Sequence, residues 1–155
     1  MSPIIFSSPD DLKAHVSHEV AVTDWLLIDQ HRIHQFAQAT DDHQWIHVDP
    51  ERCARESPFG APVAHGFLTL SLIGGFLQSG VTCERVRMGP VNYGLNRVRF
   101  MSPVRVDSQV RGRITLLAVE DLPEQTVQAT WSILVEIDGQ TKPACVADLL
   151  TRWQF

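Results

Sequence analysis

The sequence predicts an α+β fold in which an antiparallel sheet wraps around one apolar helix. Helical patterns dominate the first half of the 155 residues, and the two-residue alternation of strands takes over from residue 91 onward. Between the halves lies the segment GFLTLSLIGGFLQSG, which is apolar on nearly every side. A helix without a polar face must be covered by other elements. The length suits one core, so we expect a single domain over residues 1–155.

The first half carries recognisable helix starts. Ser8 and Pro9 suit the first turn of a short helix within residues 7–15, and Asp29 suits the cap of a helix over residues 30–40. In the second helix four residues share one face: Ile33, Phe36, Ala37 and Thr40.

A strand and another short helix complete this half. Residues 19–28 predict the strand, and residues 51–56 predict the helix, directly after Asp49-Pro50. Residues 57–66, SPFGAPVAHG, predict a loop because Pro and Gly recur in them. Inside the apolar helix that follows, Gly74-Gly75 costs roughly 1 kcal/mol per glycine relative to alanine. We therefore expect that a close approach to the helix backbone is needed there, by the sheet or by another group.

Strands fill the second half, at residues 91–100, 104–119 and 127–137. The third alternates most clearly, with one face formed by Val127, Ala129, Trp131, Ile133, Val135 and Ile137. Asp138-Gly139 is typical of a hairpin turn and predicts a final strand that runs through Phe155.

The composition argues against several classes of protein. Net charge is −5 and the 13 Lys and Arg form no basic run, so we expect no nucleic-acid partner. Three separated cysteines without CxxC argue against a disulfide framework or a thiolate zinc site, and favour a reducing compartment. The N-terminal segment lacks the basic region of a secretory signal, and no apolar stretch is long enough to cross a bilayer. We expect a soluble, cytoplasmic protein without a membrane partner.

The segment DDHQWIH, residues 41–47, places reactive groups beside apolar ones. Asp42 and His47 are five residues apart, which suits a turn leaving a helix better than a continuous helix. A carboxylate and an imidazole that converge there can act on one water molecule: the carboxylate accepts a proton, and the imidazole orients the water or returns a proton. Burial beside Trp45 and Ile46 is expected to shift the pKa values of Asp42 and His47.

Simpler interpretations of these residues stay open. Asp41 or Asp42 can end the helix or form an Asx turn, and a single histidine such as His47 is more often structural than catalytic. His43 and His47, with Asp49 nearby, could bind a metal, but the chain has no HExxH motif and we expect none.

His65-Gly66 adds a second candidate element. Gly66 lies where the loop gives way to the apolar helix. Free N–H groups and the positive end of the helix dipole can stabilise a developing oxyanion there, and glycine lets a ligand carbonyl approach the backbone. An ordinary helix start is the alternative.

Together these pieces resemble the MaoC-like dehydratase family, the hot-dog-fold (R)-specific enoyl-CoA hydratases, and within it the nodulation protein N-like subgroup. The family's motif is an acid, a histidine five residues later, a loop, and then HG-(Phe/Met)-Leu. Here DHQWIH covers Asp42 to His47, and AHGFL covers residues 64–68. Residues 92–106, NYGLNRVRFMSPVRV, resemble the subgroup's strand and following turn.

The resemblance implies a reaction. Asp42 and His47 would activate a water that adds to C3 of a trans-2-enoyl thioester, and in reverse would dehydrate a 3-hydroxyacyl thioester. The N–H of Gly66 would bind the thioester carbonyl. No cofactor is implied beyond coenzyme A as part of the substrate, although an acyl carrier could replace it. A homodimer that completes the pocket is also implied.

Four residues are predicted to contact the substrate: Trp45, His65, Phe67 and Asn96. Alternation places Asn96 on the opposite strand face from Arg97 and Arg99, and so toward the interior. The two arginines suit either a nucleotide phosphate or a solvated strand face. Trp45 stands where many family members have proline, a departure that bears on the substrate.

Two other classes of function stay open. A non-catalytic protein that binds acyl thioesters or protein partners would keep the fold but would not need Asp42, His47 and Gly66. A hot-dog thioesterase usually carries its acid on the central helix, and GFLTLSLIGGFLQ contains no Asp or Glu. Product analysis separates the two enzymes, because hydration keeps the thioester and hydrolysis releases a free thiol.

Overall fold

The computed structural model describes residues 2–155, so Met1 of the predicted domain lies outside the described residues. Helices and strands follow one another as the polarity pattern predicted, except that β1, β4 and the short helix α3 are additional and the first predicted strand is divided in two. In chain order they are β1 (Ile4–Phe6), α1 (Pro9–Ala14), β2 (Glu19–Val22), β3 (Leu26–Ile28), α2 (Gln30–Thr40), α3 (Trp45–Val48), α4 (Pro50–Glu56), α5 (Gly66–Gly80), β4 (Val81–Cys83), β5 (Met88–Phe100), β6 (Ser108–Leu122), β7 (Thr126–Ile137) and β8 (Cys145–Gln154).

The main sheet is antiparallel, with strand order β2-β6-β7-β8-β5, and β3 also pairs with β6. The strand predicted over residues 19–28 is therefore two strands, which pair with successive parts of β6. A separate pair, β1 and β4, is parallel and was not predicted. Strands of three residues are too short for alternation to identify them.

The predicted helix caps are present. Ser8 accepts a hydrogen bond from the N–H of Asp11 at 3.2 Å, and Asp29 accepts one from the N–H of Arg32 at 2.8 Å. Asp49 caps α4 in the same way. Each cap satisfies one of the N–H groups that a helix start leaves without an intrahelical acceptor.

The sheet packs around α5, which contacts β2, β6, β7 and β8. The predicted alternation of β7 is confirmed, since every second side chain is buried along its length. Trp131 and Trp153 are buried in this core, and both indole N–H groups donate to the hydroxyl of Thr151, at 2.8 and 2.9 Å. The polar atoms of the two largest core residues are thus satisfied.

The end of the chain follows the prediction with a longer connection. The N–H of Gln140 donates to the carbonyl of Ile137 at 3.1 Å, and Gly139 has a φ of +72°, so the predicted turn is present. The last strand, however, begins only at Cys145. No helix within residues 2–155 is long and apolar enough to span a membrane.

The helix α5 is not fully covered within one chain. Phe67 is 67% exposed, and Ser71 and Gly75 are exposed on the same face. The edge strand β5 pairs only with β8 among the described strands and carries several exposed apolar side chains: Met88, Val91, Tyr93, Leu95 and Phe100. The expectation that the apolar helix is surrounded is therefore wrong for the single chain.

Within residues 2–155, no other part of the chain closely approaches the helix backbone at Gly74 or Gly75. A Cβ at Gly75 would meet no atom within 4 Å, and one at Gly74 would meet only the Asn92 amide at 3.8 Å. The close approaches lie elsewhere: a Cβ at Gly80 would be 2.9 Å from the Cβ of Ala21, and one at Gly112 would be 2.9 Å from Phe76. Composition alone does not identify which helical glycine touches the sheet.

Two substitutions in α5 test this assignment. Gly80→Ala should lower the free energy of unfolding by about 1–3 kcal/mol, because the new methyl overlaps Ala21 and Ile114. Gly75→Ala, the matched control in the same helix, should raise it by up to about 1 kcal/mol, because alanine is the better helix former and nothing obstructs it. Urea denaturation measures both. Equal effects of the same sign would contradict the assignment.

Candidate active site

The segment at residues 41–47 runs from the end of α2 into α3. Asp41 ends α2 in the left-handed conformation, with a φ of +58°, and α3 begins at Trp45. This reversal brings Asp42 and His47 together. Potential ligand atoms of Asp42, His47 and His65 all lie within 4.8 Å of one another. The convergence predicted from the spacing of five is present.

Asp42 is exposed in the single chain, so the expected burial beside Trp45 and Ile46 is wrong for this carboxylate. Its Oδ1 accepts a hydrogen bond from the N–H of Gln44 at 3.3 Å, which forms the Asx turn considered as a simpler interpretation. The helix-ending role belongs to Asp41. The Asx turn holds the Asp42 carboxylate on the side of His47, so a structural and a chemical role are compatible.

His47 is 7% exposed and has a defined ring orientation. Its Nδ1 lies 2.6 Å from the carbonyl oxygen of Val63. Because a carbonyl only accepts, Nδ1 carries the hydrogen, and Nε2 of the neutral ring is left with a lone pair. The main-chain carbonyl of His47 accepts a hydrogen bond from Nε2 of Gln30 at 2.8 Å. The ring is thus prepared to act as a base through Nε2.

Burial lowers the pKa of His47 below its ordinary value of 6.5. The neighbouring His65 acts in the same direction, while the hydrogen bond to Val63 and the charge of Asp42 oppose the shift. His65 and Asp42 are the titratable groups that act on the pKa of the His47 imidazole. The net direction keeps His47 neutral near pH 7, as a base requires.

Gly66 opens α5, so its N–H has no acceptor within the helix. It lines a cavity of about 360 Å³ together with His47, Thr69 and Phe100. A Cβ at Gly66 would lie 3.2 Å from the Phe100 ring, so any larger residue would press against this ring. A cavity of about 430 Å³ lined by Arg32 and other residues contains neither His47 nor Gly66, so the chemistry favours the cavity beside His47. Asp42 lies outside the lining of both cavities.

The other predicted substrate contacts are placed unevenly. Trp45 is half-buried, with the Arg52 guanidinium 4.3 Å from its ring centroid, and it does not line the cavity beside His47. His65 is 2% exposed, behind His47. Phe67 is exposed and meets the ring of Phe100 edge to face. Of these three rings, that of Phe67 is the most exposed in the single chain.

The prediction that Asn96 faces the interior is wrong for the single chain, where it is exposed. Leu95 pairs with Leu149 and Arg97 pairs with Asp148, which leaves Asn96 in a β-bulge that breaks the alternation. Arg97 forms an ion pair with Asp148 at 3.4 Å. Arg99 is exposed and donates to the carbonyl of Val98, so a solvated face is the better description of both arginines.

The metal set considered from the sequence is not assembled in the described residues. Asp49 uses its carboxylate to cap α4, accepting from the N–H of Arg52 at 2.9 Å. The donors that do converge are Asp42, His47 and His65, and these could hold a cation. The sequence motifs included these three residues. They did not include the Val63 carbonyl that orients His47, because every residue has a main-chain acceptor and the sequence does not mark this one.

Comparison with known proteins identifies the family. The family model described as MaoC like domain matches residues 11–136, and the chain belongs to this family. It is 49% identical to 3-hydroxyacyl-thioester dehydratase Z of Mycobacterium tuberculosis (strain ATCC 25618 / H37Rv) over 96% of this chain and 97% of that protein. It is 45% identical to nodulation protein N of Rhizobium leguminosarum bv. viciae, over 94% and 90%. The solved (R)-hydratase from A. caviae superposes with a TM-score of 0.68 at 23% identity, covering 87% and 96% of the two chains, and shares the hot-dog fold.

The protonation of His47 can be measured directly. Its pKa, followed by NMR of the imidazole, should lie below 6.5 because burial outweighs the opposing interactions. Asp42→Asn should lower it further, since the charge of Asp42 favours the protonated ring. A wild-type value above 6.5, or no response to Asp42→Asn, would contradict the geometry described here.

Proposed function

We propose that the protein is an (R)-specific enoyl-CoA hydratase and 3-hydroxyacyl-CoA dehydratase. The observation that carries this proposal is the convergence of Asp42 and His47, whose Nδ1 is held by the Val63 carbonyl, together with the shared cavity of His47 and Gly66. Membership of the MaoC-like family supports it, as do the names of the dehydratase Z and (R)-hydratase relatives. The enzyme is a hydro-lyase that needs no cofactor, with coenzyme A or an acyl carrier as part of the substrate.

Asp42 and His47 act on one water molecule. The water donates hydrogen bonds to the Asp42 carboxylate and to Nε2 of His47, and its oxygen attacks C3 of the trans-2-enoyl thioester. One water proton passes to the pair, and the pair returns a proton to C2 as the C3–O bond forms. The pair ends as it began, and dehydration is the same path in reverse.

The N–H of Gly66 binds the thioester carbonyl oxygen, where negative charge collects as the water attacks C3. Addition at C3 gives the thioester carbonyl enolate character, and an N–H group aimed at that oxygen stabilises the charge. The first N–H of α5 is free of an intrahelical acceptor, and the positive end of the helix dipole adds to its effect. The absence of a Cβ lets the carbonyl approach.

Hydration fits these residues better than hydrolysis does. The helix α5 carries no Asp or Glu, so the acid expected of a hot-dog thioesterase is missing there. A protein that only bound thioesters would have no need to fix the tautomer of a buried histidine beside a carboxylate. The three cysteines are free and buried, which supports the reducing cytoplasm as the site of action.

A second copy of the chain completes the molecule. The edge strand β5 is 13 residues long and exposes the large side chains of Met88, Val91, Tyr93, Leu95 and Phe100. Long apolar edges pair with other strands unless they are covered. Phe67 on α5 contacts Phe100 on β5, so this apolar surface reaches the cavity beside His47. In a homodimer formed along β5, with one domain from each chain, the partner covers the edge of β5 and the apolar surface at Phe67.

The acid can be tested with a neighbouring control. Asp42→Asn should lower the rate of trans-2-enoyl-CoA hydration by roughly 10²- to 10⁴-fold, because the amide cannot accept a proton but still accepts the hydrogen bond from Gln44. Asp41→Asn should leave the rate within about twofold, because asparagine also adopts the left-handed conformation. Loss of the conjugated double bond is followed, with free thiol measured in parallel. Equal losses in both variants, or release of thiol, would overturn the proposed reaction.

The dimer can be tested with two leucines of similar exposure. Leu95→Lys on β5 should give a monomer with reduced hydration activity, because a buried lysine at the strand edge opposes pairing. Leu117→Lys on β6 is the control, since Leu117 is 40% exposed and Leu95 is 41% exposed. Light scattering after size exclusion gives the mass of each variant. A dimeric Leu95→Lys variant, or a fully active wild-type monomer, would contradict the proposed pairing.

A further inference from the structure

His65 contacts both members of the proposed catalytic pair. Its Nε2 lies 3.0 Å from the main-chain oxygen of Asp42. Its ring stacks on the imidazole of His47, with centroids 3.8 Å apart and planes 24° apart. Phe36 also contacts the ring, at 5.0 Å between centroids. With 2% of its surface exposed, His65 reaches no substrate in the single chain.

We propose that His65 is a residue that positions Asp42, the exposed member of the catalytic pair, and not a substrate contact. This proposal rests on the proposed hydratase function, since it assigns how the acid of that pair is held. The hydrogen bond to Asp42 fixes the main chain just after the left-handed residue Asp41, where no helix supports it. The ring of His65 also packs flat against the His47 imidazole, whose orientation is set by its hydrogen bond to the Val63 carbonyl.

The two ring nitrogens of His65 are not equivalent. The carbonyl of Asp42 only accepts, so Nε2 carries the hydrogen and donates it. Nδ1 is buried and has no hydrogen-bond partner among the described residues. An unpartnered buried nitrogen is a cost that an apolar side chain would avoid. The donor on Nε2 is therefore the property that distinguishes histidine from a phenyl ring at this position.

Two variants separate positioning from packing. His65→Gln keeps a donor near the Nε2 position but loses the ring, and His65→Phe keeps the ring and its shape but loses the donor. If His65 positions Asp42, the glutamine variant should retain kcat within about fivefold, and the phenylalanine variant should lose at least about tenfold. In both, KM should stay within about twofold. A packing role reverses the order, because phenylalanine fills the buried space better.

The outcomes are decisive in each direction. The expected order with unchanged KM supports positioning. A phenylalanine variant as active as the wild type, or a rise in KM with little change in kcat, overturns it, and the second result would make His65 a substrate contact. If His65→Phe does not fold, His65→Met replaces it, since methionine also lacks a donor and adapts to irregular space.

A second readout does not depend on turnover. Asp42→Asn should shift the NMR-measured pKa of His47 in the wild type and in the His65→Gln background, but not in the His65→Phe background, where Asp42 is no longer held beside His47. Such a double-mutant cycle measures the coupling between the two residues. If the wild type hydrates no enoyl thioester, the proposed function fails while this cycle still tests positioning. Equal coupling in all three backgrounds overturns the role of His65.

Discussion

The hydrogen bond between the His47 ring and the carbonyl of Val63 is the interaction on which the site depends. It fixes the tautomer of the base at a distance of 2.6 Å, in a position shielded from water. The N–H of Val63 also donates to the carbonyl of Ile46 at 3.0 Å. The following N–H, that of Ala64, donates to Val104 at 2.7 Å. The short segment before α5 therefore ties α3 to the stretch that follows β5.

This linkage sets the distance between two chemically distinct groups. His47 is held by α3, and Gly66 begins α5 three residues after Val63. A base and an oxyanion site on separate flexible loops would lose the fixed geometry that catalysis requires. Asp42 differs from His47, because it is exposed and is held, among residues 2–155, by its Asx turn and by the contact of its carbonyl with His65. The acid is therefore the member of the pair that most needs external support.

Much of the fold and the site followed from local physical signals. Capping oxygens at Ser8 and Asp29 and the alternation of β7 act within a few residues, so the sequence displays them directly. The convergence of Asp42 and His47 followed from their spacing. The errors arose where contacts between residues far apart in the sequence determine the structure. Asn96 lies in a bulge that is set by the pairing of β5 with β8. The helical glycine that closely approaches the sheet is Gly80 and not Gly75, because Gly80 faces Ala21. The exposure of Asp42 likewise depends on how α2 and α3 pack.

The most direct measurement is to run the reaction in ¹⁸O-labelled water with a short trans-2-enoyl-CoA and to analyse the product by chiral chromatography and mass spectrometry. Addition of one water by Asp42 and His47 requires a single ¹⁸O at C3 of a 3-hydroxyacyl-CoA with the (R) configuration and an intact thioester. Label in a free carboxylate, with release of coenzyme A, would show attack at the carbonyl and would contradict the assignment of the pair to hydration.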